Sequence, residues 1–268
     1  MWLLVFIILA LIVGFFVLPR IRLHYVLTKA FPSAYSKILR QNVRGYSRMP
    51  THLQMQLKRK IRQFLHEKTF VGCAGLEITD EIRLTIAAKA CLLLLNREIA
   101  VYPKLTHILV YPGAFIAQRQ QLAAGGIVTH TNQTLSGESW SDGRVILAWD
   151  QIITNTFQDD FEHDVVIHEF AHQLDSEDGS ANGAPVLQTT AAYRSWSQVM
   201  EQEFTRLQNA LANNEMTLID PYGATNPAEF FAVSSETFFQ KSHQLAQYHP
   251  ALFALLKAYY CVDPREWH

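Results

Sequence analysis

The stretch that decides the fold reads DVVIHEFAHQLD and covers residues 164–175. Residues four apart on an α-helix share a face, so His168 and His172 can direct their imidazoles at one metal ion. Glu169 follows the first histidine and is suitably placed to contact a water molecule at that metal. Apolar neighbours predict that this helix is packed into the core, where polar side chains need partners. The pattern predicts a catalytic Zn²⁺ site with two histidine ligands, a third ligand from elsewhere and an open position for water.

The third ligand must come from another part of the chain. A histidine six positions after His172 would be typical of metzincins, but Asp178 occupies that position. A glutamate on a later helix is the main alternative, and residues 226–236 offer Glu229 and Glu236. Asparagine and proline stand three and two positions before Glu229, which is also a helix-capping pattern. The residues alone therefore leave Glu229 as either a metal ligand or a capping residue.

Two further polar residues are candidates for the site. Asp175 lies three residues after His172 and could accept the free ring N–H of a ligand histidine, fixing its orientation. It could equally be an acid at the end of the helix. Tyr222 lies in the sequence DPYG, residues 220–223, where the pattern alone favours a turn residue.

The rest of the pattern predicts an α+β domain, mainly helical with a small sheet. Apolar periodicity and helix-start signals predict helices over 79–95, 161–174, 190–213, 227–240 and 250–260. Strands are predicted over 105–111 and 145–149, each bounded by turn residues. The second of these strands, with GESW (137–140) before it, is either an ordinary core strand or an edge to which an extended peptide can pair.

Composition sets the N-terminal end apart. Residues 1–18 carry no charge and would form a helix roughly 27 Å long, close to the thickness of a bilayer core. Residues 1–66 contain 11 Lys or Arg and no acid. Because positive charge follows the apolar run, we expect a single-pass membrane protein whose larger part faces the cytoplasm. The expected division is a transmembrane anchor over 1–19, a basic juxtamembrane linker over 20–60 and a peptidase domain over 61–268.

Composition also limits the possible partners and cofactors. With 49 % apolar residues the chain is expected to fold around a core, which excludes a wholly disordered protein. Its three cysteines are widely spaced and odd in number, which favours ordinary thiols over a disulfide framework or a cysteine metal site. The overall charge is −1, with the acidic excess beyond residue 66, and we expect no nucleic-acid partner.

Three separated runs carry a family resemblance: HEFAHQLD (168–175), DPYGATNPAEFFAVSSETFF (220–239) and SGESWSDGRVILAWD (136–150). They resemble the Mlc titration factor A family of zinc peptidases, the glucose-regulated metallopeptidases, whose catalytic fold resembles that of anthrax lethal factor. The similarity extends from about residue 60 to the C-terminus. It implies a zincin-like domain with Zn²⁺ ligands at His168, His172 and Glu229, a general base at Glu169 and Tyr222 as a phenol near the metal. Glu236 would then support the site or be structural.

The resulting hypothesis is a membrane-anchored zinc metallopeptidase that faces the cytoplasm and acts on peptides or proteins. The family it resembles is also associated with binding a transcriptional repressor, although its best-known members lack an apolar run like residues 1–18. The alternative hypothesis is therefore a regulatory binding protein that sequesters a repressor or another partner at the membrane. Glu169 favours the enzyme, because a purely structural zinc site does not need a general base.

Overall fold

The computed structural model describes residues 2, 13–98, 100–123, 127–135, 137–140, 143–157 and 163–267. Helices predominate and a small sheet accompanies them, so the predicted α+β class is confirmed. The helices are α1 Leu18–Thr28, α2 Ser33–Asn42, α3 Thr51–Glu67, α4 Asp80–Leu92, α5 Trp149–Phe157, α6 Val165–Asp175, α7 Thr190–Ala212, α8 Pro227–Gln240, α9 Ser242–Tyr248 and α10 Pro250–Tyr260. The strands are β1 Thr69–Gly72, β2 His107–Tyr111, β3 Phe115–Ala123, β4 Ile127–Leu135, β5 Gly137–Trp140 and β6 Arg144–Ala148. Short 3₁₀ or π segments are Val13–Val17, Ser176–Asp178, Pro221–Ala224 and Pro264–Glu266.

The strands form two separate sheets. The larger has the order β1-β2-β6-β5, with β1, β2 and β6 parallel and β5 antiparallel to β6. Strands β3 and β4 pair with each other as an antiparallel hairpin. The sequence offered β6 and the preceding residues 137–140 as a possible edge for peptide binding. Strand β6 lies inside the larger sheet, between β2 and β5. Among the described strands β5 pairs with β6 alone, so residues 137–140 form the edge.

Helix α4 lies at the centre of the core. Every residue from Leu84 to Leu92 is buried, as expected for a helix with neighbours on all sides. Helix α6 packs against α4 on one side and against α8 on another. The histidine-bearing helix is thus held between two buried helices, and this arrangement fixes its rotation and its position along its axis.

Helices α2 and α3 contribute buried apolar residues to the core, which corrects the prediction that the whole of 20–60 is a linker. Leu39 on α2 and Leu53 and Leu57 on α3 are at most 2 % exposed, and both helices pack against α4. The apolar residues of α2 and α3 recur at helical spacing, whereas their basic residues lie largely towards solvent. The high positive charge of this segment suggested a solvated linker and concealed its amphipathic pattern.

The predicted membrane anchor lies mostly outside the described residues, which omit 1 and 3–12. Within the part of the chain that is described, no helix combines the length and apolar character needed to cross a bilayer.

Most predicted elements are present. The helices predicted over 227–240 and 250–260 are confirmed to the residue, and each begins with the proline that its sequence placed there. The other predicted helices and both strands are found with ends shifted by a few residues. Strands β1, β3, β4 and β5 and helices α5 and α9 were not predicted.

Candidate metal centre

Asp164 fixes the start of the histidine-bearing helix α6. Its Oδ1 accepts hydrogen bonds from the backbone N–H of Val166 and of Ile167, at 3.1 and 3.2 Å. Such an N-cap satisfies backbone donors that have no partner inside the helix. The same carboxylate pairs with Lys89 of α4 at 3.0 Å, which ties the start of α6 to the central helix.

Asn226 fixes the start of helix α8. Its Oδ1 accepts from the backbone N–H of Glu229 at 3.0 Å, so the capping pattern in the sequence is real. The cap uses only the backbone of Glu229, and the Glu229 side chain extends to the two histidines of α6. The capping interpretation is therefore correct for the backbone of Glu229, and its side chain remains available as the predicted metal ligand.

Three side chains from these helices converge on one point. His168 Nε2 lies 3.0 Å from Glu229 Oε2, His172 Nε2 lies 3.3 Å from the same oxygen, and the two Nε2 atoms are 3.2 Å apart. Each side chain is partly buried, with 14 to 17 % of its surface exposed. The structure thus brings together the three residues predicted as metal ligands, which are up to 61 residues apart in sequence.

The spacing of these three atoms fits a tetrahedral metal ion. Ligands about 2.0 to 2.1 Å from a tetrahedral Zn²⁺ stand roughly 3.3 Å from one another. The observed separations of 3.0 to 3.3 Å are close to that value. Two imidazoles and one carboxylate are also a donor set typical of catalytic zinc, which keeps its fourth position open. The residues present therefore fit a divalent metal ion of this kind.

Electrostatics prepare Glu229 to act as a ligand. Burial raises its pKa, but hydrogen bonds from His168 and His172 have the larger combined effect and hold the pKa well below its usual range. The carboxylate is therefore ionised at neutral pH. Burial also lowers the pKa of His168, yet its contacts with Glu229 and Glu236 raise that pKa overall.

Glu236 orients His168 from the opposite side. It is 1 % exposed, and its Oε1 lies 2.7 Å from His168 Nδ1. Its Oε2 accepts from the backbone N–H of Asp164 at 2.5 Å. Burial raises the pKa of Glu236, but hydrogen bonds from His163 and His168 lower it overall, so the carboxylate is charged. A charged acceptor places the proton of His168 on Nδ1 and leaves the Nε2 lone pair for a metal.

Glu169 and Tyr222 lie close to this cluster. Glu169 is on α6, 5 % exposed, directly after the first histidine. Tyr222 is in the 3₁₀ turn Pro221–Ala224, where Asp220 Oδ1 accepts from its backbone N–H at 2.7 Å. The predicted turn is therefore present, and it carries the phenol ring to 6.1 Å from the His168 ring, measured between centroids. The Tyr222 side chain is 47 % exposed and accessible to a ligand.

Of the two roles considered for Asp175, the structure favours that of an acid at the end of the helix. Its Oδ2 accepts from the backbone N–H of Gly183 at 2.8 Å, and its Oδ1 has no hydrogen-bond partner among the described residues. It therefore does not hold the ring N–H of a histidine in the described part of the chain. The reason is the loop after α6, which folds back and brings its own amide to this carboxylate.

Gly183 links that loop to the helix that carries Glu229. Its φ is +78°, and a Cβ there would lie 2.3 Å from the carbonyl oxygen of Pro227. Its own carbonyl accepts from Trp196 Nε1 at 2.8 Å. Only glycine combines this backbone conformation with such a close approach. Asp175 thus acts on the site indirectly, by positioning the loop against the first turn of α8.

His163 is a member of the site that sequence reasoning missed. Its Nε2 lies 2.9 Å from Asp220 Oδ2 and its Nδ1 lies 3.6 Å from Glu236 Oε2. It therefore connects the turn that carries Tyr222 with the carboxylate that orients His168. A histidine one residue before a helix cap gave no signal in the sequence, because both of its partners lie more than 50 residues away.

We expect His163→Asn to lower stability in a pH-dependent way. The hydrogen bond to Asp220 is the largest cause that raises the pKa of His163, to about 10. Because the folded-state pKa exceeds the unfolded value of about 6.5, the stabilisation is complete below that pH and is lost as the pH rises through about 10. The ring is 45 % exposed, so solvent screening limits the effect to about 1 kcal/mol or less.

The measurement is the melting temperature of wild type and His163→Asn at several pH values between 6 and 10, with metal held in excess. His243→Asn is the matched control, since His243 is exposed and makes no side-chain hydrogen bond within the described chain. A difference between wild type and His163→Asn that is the same at every pH would contradict the ion pair.

Comparison with known proteins gives consistent results. The family model of the glucose-regulated metallopeptidases M90 matches residues 19–261, so the similarity begins well before residue 60. An uncharacterized protein of Synechocystis is 41 % identical over 237 residues, 88 % of this chain and 86 % of the relative. Mlc titration factor A of Klebsiella pneumoniae subsp. pneumoniae is 33 % identical over 217 residues, 79 % of this chain and 80 % of that protein. The protein of the same name in Pectobacterium atrosepticum is 32 % identical over 208 residues, 75 % and 76 % of the two chains.

Proposed function

This chain belongs to the glucose-regulated metallopeptidases M90, and from that membership we propose that it is a zinc-dependent peptidase with a zincin-like catalytic domain. One observation carries the proposal: His168, His172 and Glu229 bring three ligand atoms within 3.3 Å of one another. The buried acid Glu169 lies on the same helix as both histidines. A site that only stabilised the fold would not need this additional carboxylate.

The residues of the chain divide the reaction between them. A bound Zn²⁺ would be held by His168, His172 and Glu229. It would supply Lewis acidity, which polarises the peptide carbonyl and lowers the pKa of water to about 7. Glu169 accepts a proton from the attacking water and delivers it to the nitrogen of the departing amine. Tyr222 donates a hydrogen bond to the peptide carbonyl oxygen as negative charge develops there.

The edge strand β5 supplies a place for the substrate. Helix α6 packs beside β5, so an extended peptide that pairs with the strand would run close to the histidines. Pairing of this kind uses main-chain hydrogen bonds and is compatible with many side chains. We therefore propose short or unfolded peptides as the substrate class.

Metal removal tests the peptidase activity directly. We expect wild-type protein to contain about one zinc per chain and to cleave members of a peptide library. Dialysis against a chelator should abolish cleavage, and one equivalent of Zn²⁺ should restore it, because the three protein ligands remain in place. Cleavage that persists after complete metal removal would contradict the proposal.

A second candidate function is the binding of a regulatory protein partner. Several relatives bear the name Mlc titration factor A, which associates those proteins with a partner called Mlc. The corresponding proposal for this chain is that it sequesters a transcriptional repressor. Metal-depleted protein distinguishes the two functions, since it should retain repressor binding and lose all peptide cleavage.

We also propose that residues 1–19 anchor the chain in a membrane with the catalytic domain facing the cytoplasm. The support is the uncharged run over 1–18 followed by basic residues and no acid up to position 66. A reporter enzyme fused after His268 should be active only in the cytoplasm, and the chain should remain with the membrane fraction after a high-salt wash. Reporter activity outside the cytoplasm, or release into the soluble fraction, would overturn this proposal.

A further inference from the structure

A cavity beside the start of α6 is rich in positive charge. Its volume is about 210 Å³, and it lies between the segment that joins α2 to α3, the start of α6 and the end of α8. Its charged lining residues are Arg40, Arg44, Arg48, Lys89 and Asp164. We call it the arginine cavity. None of the three proposed metal ligands lines this cavity.

The three arginines of the cavity are unpaired among the described residues. Arg40, Arg44 and Arg48 are exposed, and within the described chain their guanidinium groups make no ion pair or hydrogen bond. Asp164 is the single acidic side chain of the lining. It already pairs with Lys89 at 3.0 Å and caps helix α6. Within the described residues, the positive charge of the three arginines is therefore not neutralised.

A buried hydroxyl in the same lining also lacks a partner. Tyr46 is 2 % exposed, and its phenol oxygen has no hydrogen-bond partner among the described residues. Buried hydroxyl groups are normally satisfied, so an unpaired one on a residue that lines a cavity is a reason to look for a ligand oxygen nearby. Gly45, directly before it, has a φ of +74° and lies against Trp267, which holds the turn in a fixed shape.

From these observations we propose that the arginine cavity binds a phosphomonoester group. Arginine forms paired, charge-assisted hydrogen bonds with phosphate oxygens, and three unpaired guanidiniums suit a dianion. Tyr46 would donate its hydroxyl proton to one of the phosphate oxygens. The cavity is smaller than the roughly 300 to 1,000 Å³ typical of drug-sized ligands, which favours a single small headgroup over a peptide.

The phosphomonoester can come from a soluble metabolite or from a lipid headgroup. Basic clusters that follow an apolar segment in the sequence are typical of proteins that bind anionic lipids. The three arginines of the cavity come after the apolar run over residues 1–18. The experiment therefore uses two probes with the same phosphate group. These are glycerol 3-phosphate in solution and phosphatidic acid in nonionic mixed micelles, with phosphatidylcholine as the neutral lipid.

The full chain in nonionic detergent is titrated with each probe, and dissociation constants are compared among variants. We expect at least one probe to bind wild type, at least tenfold weaker binding by Arg44→Gln/Arg48→Gln and severalfold weaker binding by Tyr46→Phe. The matched control is Arg59→Gln/Arg194→Gln, which removes two exposed arginines outside the cavity and should bind as wild type does. Tyr46→Phe removes a hydroxyl without a partner, so it should fold and melt as wild type does.

The outcomes separate the possible sources and test the proposal. Binding of glycerol 3-phosphate that depends on Arg44 and Arg48 assigns the cavity to a soluble phosphomonoester. If only phosphatidic acid binds, and its binding depends on Arg44 and Arg48, the cavity is assigned to a lipid headgroup. The proposal is overturned if wild type binds neither probe at millimolar concentration, if the control double variant loses as much affinity as the cavity variant, or if the cavity variant still binds like wild type.

Discussion

Replacement of Glu169 by glutamine should lower the rate of peptide hydrolysis by a factor of about 10² to 10⁴ and leave the metal content unchanged. Glutamine has nearly the same shape as glutamate but cannot take a proton from water. His168, His172 and Glu229 are untouched by the substitution, so the ligand atoms stay within 3.3 Å of one another. The measurement is kcat/KM on a cleaved library peptide, together with metal analysis of the same preparation.

Glu201→Gln is a suitable control for this experiment. Glu201 lies exposed on helix α7, so the control makes the same chemical change away from the site. It should keep wild-type activity. Normal turnover by Glu169→Gln would remove Glu169 from the mechanism, and joint loss of metal and activity would give it a structural role instead.

The second large effect should distinguish the two glutamates of helix α8. Glu229→Ala removes a proposed ligand atom, whereas Glu236→Ala removes the acceptor that orients His168. Loss of a group that orients a ligand typically weakens metal binding by about 10- to 100-fold. We expect Glu236→Ala to fall in this range and Glu229→Ala to exceed it. Competition with a chelator of known affinity gives both dissociation constants.

Thermal melting provides an independent measurement of the same difference. A metal that binds only the folded state stabilises it in proportion to RT ln(1 + [L]/Kd). Addition of Zn²⁺ should raise the melting temperature of wild type strongly, that of Glu236→Ala less and that of Glu229→Ala least. Glu236→Gln keeps an oxygen acceptor for His168 and should recover part of the affinity. Weaker binding by Glu236→Ala than by Glu229→Ala would mean that the third ligand was assigned to the wrong residue.

The sequence could predict the parts of the fold that depend on local signals. Helix α8 was predicted to the residue because Asn226 and Pro227 mark its start. Helix α6 was predicted four residues too early, at 161, because apolar periodicity does not show which residue caps a helix. Asp164 acts as that cap, and its interaction with Lys89 from a distant helix is invisible in a linear pattern.

The metal centre was predictable only in part. Two histidines four residues apart on one helix are a local pattern, so His168 and His172 could be proposed as ligands from their spacing. Glu229 could not be chosen from the residues alone, because its backbone does take part in the cap that the sequence suggested. His163 was missed and the two roles considered for Asp175 could not be separated, since both contacts depend on how loops fold back in three dimensions.

The division of the site between α6 and α8 has a consequence for the synthesis of the chain. A ribosome that has reached residue 175 has made both histidines, but the third proposed ligand arrives only 57 residues after His172. Until then the growing protein offers two imidazoles on a helix that still lacks one of its packing partners. The full affinity of the proposed metal site would therefore develop only after the C-terminal half has been translated and has folded, and the ion would join a nearly finished molecule.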